Sequence, residues 1–160
     1  EWAASGGQIE VLYPFTGTGE QQGLSSNNHS CVIRFTLHGV VFLLMGDLEA
    51  DAEFELIKYY RDKLNADVLI AGHHGSVNAT SYALLKHVLP KHVVFSSGYR
   101  NRFNHPHKDV LERVRVFDAD IYNTASEGAL SFDISAESKS VQHIRAYRRD
   151  SSLFWLGNES

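Results

Sequence analysis

Two short polar clusters hold the side chains that are best suited to chemistry. Asp47 follows Gly46 after an apolar segment, and His73 and His74 lie between glycines after a second apolar segment. Carboxylate oxygens and neutral imidazole nitrogens are common ligands for zinc, manganese and iron. These clusters therefore predict a metal site, with two alternatives. Asp47 could instead cap the following helix, and only one of the adjacent imidazoles could aim into a site if the strand continues.

A third cluster, residues 96–107, combines arginine, amide and imidazole groups. Arg100 and Arg102 could pair with phosphate oxygens, and the start of the following helix offers free N–H groups to an anion. Alternatively, Asn104 or His105 simply caps that helix and the arginines are solvated in a surface loop. A fourth cluster, residues 27–30, is interpreted as a loop.

A basic and aromatic tail ends the chain. Its residues are Arg145, Tyr147, Arg148, Arg149, Phe154 and Trp155. This composition could hold single-stranded nucleic acid. A charged edge strand with a closing hydrophobic cover fits the same pattern.

Hydrophobic periodicity predicts the elements that position these clusters. The apolar runs 31–37 and 40–45, joined by His38 and Gly39, predict a β-hairpin. Apolar residues at helical spacing predict helices that end near residues 64, 89 and 117, the last with Pro106 in its first turn. Further strands are predicted at residues 9–13, 67–71, 92–95, 121–124, 129–134 and 141–147. Helices with one apolar face alternating with strands predict a layered α/β fold with helices outside.

Bulk composition indicates one soluble globular domain of 160 residues, with 43% hydrophobic and 21% charged residues. The net charge of −4 gives no support to whole-chain attraction to nucleic acid, so any DNA contact must rest on a local basic patch or a metal. No apolar run approaches the roughly 20 residues that a membrane helix needs.

Five motifs occur in one order along the chain. They are Asn-Asn-His-Ser at residues 27–30, Gly-Asp-Leu-Glu at 46–49, Ala-Asp-Val-Leu-Ile at 66–70, His-His-Gly-Ser at 73–76, and the segment 101–107 that ends in His-Pro-His. Together they resemble the C-terminal domain of ComEC-type competence proteins, which internalise DNA at the bacterial inner membrane. The resemblance covers roughly residues 9–132.

The resemblance implies an α/β fold of the metallo-β-lactamase-like type. This is an αββα sandwich, of which the chain would hold only the C-terminal part. On this basis residues 1–160 form one domain, with a lead-in strand and loop to residue 30. The core then covers residues 31–134, and a terminal strand and tail follow from residue 135.

The implied activity is a manganese- or zinc-dependent nuclease that degrades the non-transported DNA strand. Its implied location is the periplasm, beside the channel that admits single-stranded DNA. The resemblance makes Asp47 and one of His73 and His74 the metal ligands, and it gives catalytic roles to Asp47, His74 and Ser76. The residues implied to line the substrate side are Asn101, Arg102, His105 and His107.

One departure from the family pattern limits this expectation. Enzymes of this fold need an early His-x-His-x-Asp-His segment, which the chain lacks. Two remaining ligands fall short of the three or four that such a metal centre needs. We therefore expect that the N-terminal half of the fold is absent and that the chain alone has little or no activity. Its sheet should expose an apolar face or pair with a second copy as a homodimer. The expected partners are DNA, the missing half of the domain and the membrane channel segments of the parent protein.

Three other functions fit the same residues. A non-catalytic module for single-stranded DNA would need the arginines to converge, namely Arg100, Arg102, Arg145, Arg148 and Arg149. A metallo-hydrolase of the same fold could act on another ester, such as a phosphocholine ester or a lactone. A folded remnant without activity would need its histidines buried and satisfied by the backbone.

Overall fold

The computed structural model describes residues 2–4, 6–15 and 25–151, and one mixed sheet forms its centre. Seven strands lie in the sheet in the order in which they occur in the chain: β1 (Trp2–Ala4), β2 (Gly7–Tyr13), β3 (Val32–Leu37), β4 (Val40–Leu44), β5 (Val68–Ile70), β6 (His92–Phe95) and β7 (Asp120–Asn123). Strands β1 to β4 pair antiparallel, and β4 to β7 pair parallel. A second sheet contains β8 (Leu130–Ser135) and β9 (Ser140–Ala146).

The helices of the described residues are α1 (Ala50–Tyr60), α2 (Tyr82–Val88), α3 (Lys108–Arg115), α4 (Thr124–Glu127) and α5 (Tyr147–Asp150). Three 3₁₀ turns accompany them, at Ser26–His29, Arg61–Leu64 and Gly72–Gly75. None of the helices in this part of the chain combines the length and apolar character that a membrane crossing requires.

The packing confirms the predicted α/β class. On one face of the large sheet, helices α1, α2 and α3 bury a core in which Leu43 and Leu69 of the strands meet Leu56, Leu84 and Val110 of the helices. The opposite face packs against the two-stranded sheet. The layers therefore run from helices, through the seven-stranded sheet, to the small sheet.

Aromatic and aliphatic side chains join the two sheets. The ring of Phe42 meets the ring of Phe132 edge-on, with centroids 5.4 Å apart, and Val40, Val68 and Val94 are buried around them. The alternation of inward and outward side chains along β8 and β9 leaves polar groups on the outer face. The small sheet thus covers β4, β5 and β6 with its apolar side.

The same face is less covered over β2 and β3. Val11 is 59% exposed, and Ile9, Ile33 and Phe35 on this face are only half-buried. An apolar area is therefore exposed at this edge of the sheet, as expected. Pairing with a second copy stays a prediction.

The predicted hairpin is confirmed. Strands β3 and β4 pair in register from Ile33 and Leu44 to the turn, where His38 and Gly39 both have positive φ, 50° and 85°. Two consecutive positive φ values are typical of the tight turns that suit the twist of paired strands. The later predicted strands are confirmed to within one residue, whereas β1 was not predicted.

Two predicted helix starts were wrong. Asp47 does not cap α1, because the helix begins at Ala50 and Glu49 occupies the N-cap position. Pro106 precedes α3, and neither Asn104 nor His105 caps that helix. His107 does so, because its Nδ1 accepts the N–H of Asp109 at 3.3 Å.

Candidate active site

The candidate residues meet at the carboxyl ends of three neighbouring parallel strands. Phe42 of β4 lies level with Val68 of β5, and Val68 lies level with His92 of β6. Asp47 follows β4, the His73–His74 pair follows β5, and the loop from Ser96 follows β6. This edge is where functional groups gather in α/β sheets, so the sequence-predicted clusters share one site.

The histidine pair has an unusual backbone. The strand ends at Ile70, and His73 and His74 then adopt left-handed conformations with φ 45° and 55°. The alternation expected of a continuing strand therefore does not apply, and the two rings lie close together, with centroids 6.2 Å apart. A left-handed non-glycine residue costs roughly 1–2 kcal/mol, and such strain concentrates at functional sites.

Hydrogen bonds from three segments hold this turn. The N–H of His73 donates to the carbonyl of Gly46 at 2.9 Å, and that of Gly72 donates to Oγ1 of Thr80 at 3.1 Å. The carbonyl of Gly75 accepts the N–H of His107 at 2.9 Å. The strained turn is thus fixed by the segments after β4, before α2 and before α3.

The carboxylate of Asp47 lies next to the imidazole of His74. His74 Nδ1 lies 2.7 Å from the carbonyl oxygen of Ser96, which only accepts, so Nδ1 carries the proton. In the neutral ring Nε2 is then an acceptor, and it lies 3.5 Å from Asp47 Oδ1. Two acceptors at this distance repel unless a proton or a cation lies between them. Metal-binding histidines usually donate their second N–H in the way that His74 does to Ser96.

These two groups fit part of a metal site. Ligands about 2.1 Å from a tetrahedral ion lie roughly 3.4 Å from one another, close to the separation observed here. Asp47 is 43% and His74 52% exposed in the side chain, so an ion could reach them. Within residues 25–151 and the shorter described ranges, however, no group of three His, Cys, Asp or Glu side chains is arranged to hold an ion.

Glu49 is a member of the site that the sequence analysis missed. Its Oε1 lies 3.3 Å from Nδ1 of His73, and its carboxylate accepts hydrogen bonds at 2.9 Å from Asn27 and from Ser25. The bond from Asn27 is the main reason that the pKa of Glu49 is lowered. The bond from Ser25 and the charge of His73 add to it against the effect of burial. Glu49 is therefore a carboxylate that orients His73.

The Asn-Asn-His-Ser segment, interpreted above as a loop, builds this arrangement. Asn28 is 2% exposed, and its Oδ1 accepts the N–H of Glu49 at 2.8 Å. Ser30 Oγ accepts the N–H of Asp47 at 3.1 Å. The segment thus holds the backbone of both Asp47 and Glu49. In the sequence, the Asn-Asn-His-Ser motif was the signal that could have indicated this role.

A cavity of about 120 Å³ adjoins His74. It is lined by His74, Ser96, Ser97, Gly98, Asn101, Phe103 and His105. Nδ1 of His105 is buried without a hydrogen-bond partner. Burial is the main cause that lowers the pKa of His105, and the nearby charges of His73, His74 and His107 act in the same direction. His105 therefore presents a neutral ring, and a buried polar atom without a partner is uncommon away from functional sites.

The remaining predicted residues have mostly internal contacts. Both groups of the Asn101 amide bond within its own loop, to the backbone of His105 and the carbonyl of Gly98. Ser76 is buried, and no described contact joins its hydroxyl to the other candidates. His107 caps α3. Arg102 lies over the ring of Phe103.

The five basic residues of the binding-module alternative do not all converge. Arg145 pairs with Asp133, and Arg149 pairs with Glu127 and Asp150. Arg100 and Arg148 meet at the ring of Tyr99. Phe154 and Trp155 of the tail lie outside the described residues.

A separate cavity of about 410 Å³ contains none of the candidate residues. Val11, Leu12, Pro14, Phe15, Glu55, Lys58, Tyr59 and Tyr60 line it, between β2 and α1. The larger size of this cavity does not make it the candidate site, because the strained turn and the Asp47–His74 contact lie elsewhere.

Curated relatives cover most of the chain. Competence protein ComA of Neisseria gonorrhoeae is 35% identical over 92% of the chain, and Recombination protein 2 of Haemophilus influenzae is 32% identical over 91%. ComE operon protein 3 of Bacillus subtilis is 33% identical over 68% of the chain. The chain spans only 21%, 18% and 14% of these three relatives, respectively. No protein-family model matches it.

Proposed function

The chain is homologous to a segment of the ComEC-type competence proteins, and on this premise we propose that it is the metal-dependent nuclease domain of a DNA-uptake protein. Two relatives are named for competence or its operon and one for recombination, which supports natural transformation as the setting. The proposed reaction is hydrolysis of a DNA phosphodiester.

The observation that carries the proposal is the approach of Asp47 Oδ1 to His74 Nε2, which lie 3.5 Å apart. We assign these two groups as ligands of a divalent ion, manganese or zinc, with further ligands supplied from outside the described residues. When bound, such an ion lowers the pKa of water and neutralises charge on the phosphoryl oxygens. Of the two adjacent histidines, His74 is thus the proposed metal ligand.

The other residues of the site orient and bind. The carbonyl of Ser96 fixes the tautomer of His74, so that its Nε2 lone pair points away from Ser96. In its protonated form His73 donates Nδ1–H to Glu49 and leaves Nε2–H for a phosphate oxygen. The neutral ring of His105 borders the cavity in which the neighbouring nucleotide would lie. Ser76 and His107 support the histidine turn through backbone hydrogen bonds to His73 and Gly75, and Asn101 holds the loop after β6.

A module that binds single-stranded DNA without cutting it is the second candidate. It is favoured by the ligand count, because the described residues supply two ligands where a catalytic zinc site uses three. The third candidate, a hydrolase for another ester, shares the same metal pair and differs only in substrate.

We further propose where the domain works and what it contacts. The setting is the periplasmic side of the bacterial inner membrane, with DNA as substrate. Its protein partners would be the rest of the domain and the channel segments of the parent protein. The exposed apolar area of β2 and β3, with Val11 59% exposed, is the surface that the rest of the domain or a second copy would cover.

The test is a manganese-dependent cleavage and metal-binding assay with labelled single-stranded DNA. It compares the 160-residue chain with a chain extended at its N-terminus by about 100 residues, a typical domain increment. The proposal expects cleavage by the extended chain and its loss in Asp47→Ala. The control Asp62→Ala, an exposed carboxylate of the 3₁₀ turn after α1, should cut normally. Firm metal binding without any cleavage would contradict the nuclease and favour the other two candidates.

A further inference from the structure

Two exposed aromatic rings lie among arginines in the loop after β6. Tyr99 is 62% and Phe103 60% exposed. The guanidinium groups of Arg100 and Arg148 lie 5.2 and 5.3 Å from the ring centroid of Tyr99, and that of Arg102 lies 4.7 Å from Phe103. These five residues, four of them in this loop and Arg148 beside it, are here called the aromatic–arginine platform.

Phe103 connects the platform to the candidate site. The ring of Phe103 stacks on that of His105, with centroids 5.7 Å apart and planes 18° from parallel. Both rings line the cavity that adjoins His74. The loop is held in shape by Asn101, whose amide exchanges two hydrogen bonds of 2.8 Å with the backbone of His105. The rings of Phe103 and His105 therefore lie on a loop that internal hydrogen bonds hold in one conformation.

Arg102 and Arg148 contribute positive charge to the platform in a chain of net charge −4. Among the described residues, Arg102 and Arg148 form no ion pair with a carboxylate, whereas Arg145 and Arg149 do. Guanidinium groups that are not neutralised by a carboxylate attract phosphate and pair with it in a bidentate manner.

We propose that the aromatic–arginine platform binds unpaired bases of single-stranded DNA and leads the strand into the cavity beside His74. Aromatic faces stack on any base, and adjacent cations hold the backbone, so this combination is tolerant of sequence. In a duplex the base faces are already stacked on one another, and the platform therefore selects single strands. The link to the cavity rests on the proposed function, whereas the binding itself does not.

The experiment measures binding without cleavage. Fluorescence anisotropy of a labelled oligothymidylate of about 15 nucleotides, which suits a site of this kind, is recorded with EDTA present. Tyr99→Ala and Phe103→Ala should each weaken binding about 5- to 150-fold, the range for losing one stacked base. The matched control is Tyr59→Ala, a 70% exposed tyrosine on α1 that should bind like the wild type.

A second arm tests the arginines. The double variant Arg102→Ala/Arg148→Ala should lower the slope of log affinity against log salt by about 1.4, since each phosphate contact on a single strand contributes about 0.7. Arg145→Ala is the control, because Arg145 already pairs with Asp133 on the small sheet. The far-ultraviolet circular dichroism of all variants is compared to show that they fold.

The outcomes separate the inference from the proposed function. The inference is overturned if both aromatic variants fold and bind the single strand as tightly as the wild type does. It is also overturned if Tyr59→Ala weakens binding as much as they do, or if they lose affinity for duplex DNA as much as for the single strand. Binding to anionic lipid vesicles in place of oligonucleotide, lost in Tyr99→Ala, would overturn it too. Asp47→Ala should keep single-strand binding in EDTA while losing cleavage in manganese. If no variant or wild type cuts DNA but the platform variants still lose binding, the nuclease proposal fails and the platform stands.

Discussion

The carboxylate of Glu53 accepts the backbone N–H of Thr80 at 2.6 Å in the interior of the helical layer, where Glu53 has no solvent exposure. Its second oxygen accepts the N–H of Ser81 at 2.8 Å. Thr80 in turn accepts the N–H of Gly72 through Oγ1, at 3.1 Å. The first turn of α1 is therefore connected to the histidine turn by two successive hydrogen bonds, through Thr80.

Removal of this carboxylate should destabilise the fold. Glu53→Ala leaves the buried N–H groups of Thr80 and Ser81 without acceptors, at roughly 1–3 kcal/mol each. We expect the free energy of unfolding to fall by about 2–4 kcal/mol in urea titrations. Glu55→Ala is the control, because its exposed pair with Lys58 contributes at most about 1 kcal/mol. If both variants lose the same free energy of unfolding, the buried hydrogen bonds of Glu53 stabilise the fold no more than the exposed ion pair of Glu55.

Glu53 should also make stability depend on pH. Burial raises the pKa of Glu53, mainly against the hydrogen bonds from Ser81 and Thr80 that lower it. A raised pKa favours the protonated carboxyl in the folded state. The protonated carboxyl therefore contributes fully to the free energy of unfolding below the unfolded-state pKa of about 4.3. This contribution is lost as pH rises through the folded-state pKa.

The measurement compares wild type with Glu53→Gln, which cannot ionise, by urea unfolding from pH 4 to pH 8. The stability of the wild type relative to this variant should decline as pH rises. A constant difference across the range would mean that the folded and unfolded pKa values coincide.

Gly75 should not tolerate a side chain. Its φ is +85°, and a Cβ there would lie 2.6 Å from the ring of Phe95 and from Pro106. Gly75→Ala combines a left-handed residue with overpacking, and about 2–4 kcal/mol of stability should be lost. Gly98→Ala is the matched control, because its Cβ would meet nothing closer than 3.9 Å. Thermal and urea unfolding of the two variants check the difference.

The two histidines should differ in their effect on metal affinity. His74→Ala removes a proposed ligand, so zinc or manganese affinity should fall by more than the roughly 10- to 100-fold typical of losing an outer partner. His73→Ala removes a group that pairs with Glu49 and should stay within about tenfold of the wild type. Isothermal titration with the extended chain measures both. A reversal of this order would assign His73 as the ligand.

The hairpin and the alternation of strands and helices were predictable because they depend on local patterns. His38–Gly39 between two apolar runs is enough for the turn, and apolar spacing is enough for α1 to α3. The helix starts were less predictable. Glu49 and His107 take the cap positions because their backbone N–H groups donate tertiary hydrogen bonds, to Oδ1 of Asn28 and to the carbonyl of Gly75, which fix the backbone before each helix.

The structure brings together the predicted residues Asp47, His73 and His74, and their role as metal ligands stays a prediction. The geometry in which they meet was not predicted. The left-handed turn and the partner Glu49 depend on contacts with Asn27 and Gly46, which are distant in sequence, and local patterns carry no information on them. The substrate role of Asn101 stays a prediction, and its amide is hydrogen-bonded within its own loop.

The order of strands in the large sheet equals their order in the chain. Each strand therefore pairs with the one synthesised just before it, and no strand has to wait for a distant partner. Contacts between neighbouring segments favour rapid folding. The sheet can grow from one edge as the polypeptide leaves the ribosome, and the segments bearing Asp47, His74 and Tyr99 are added in succession at that growing edge.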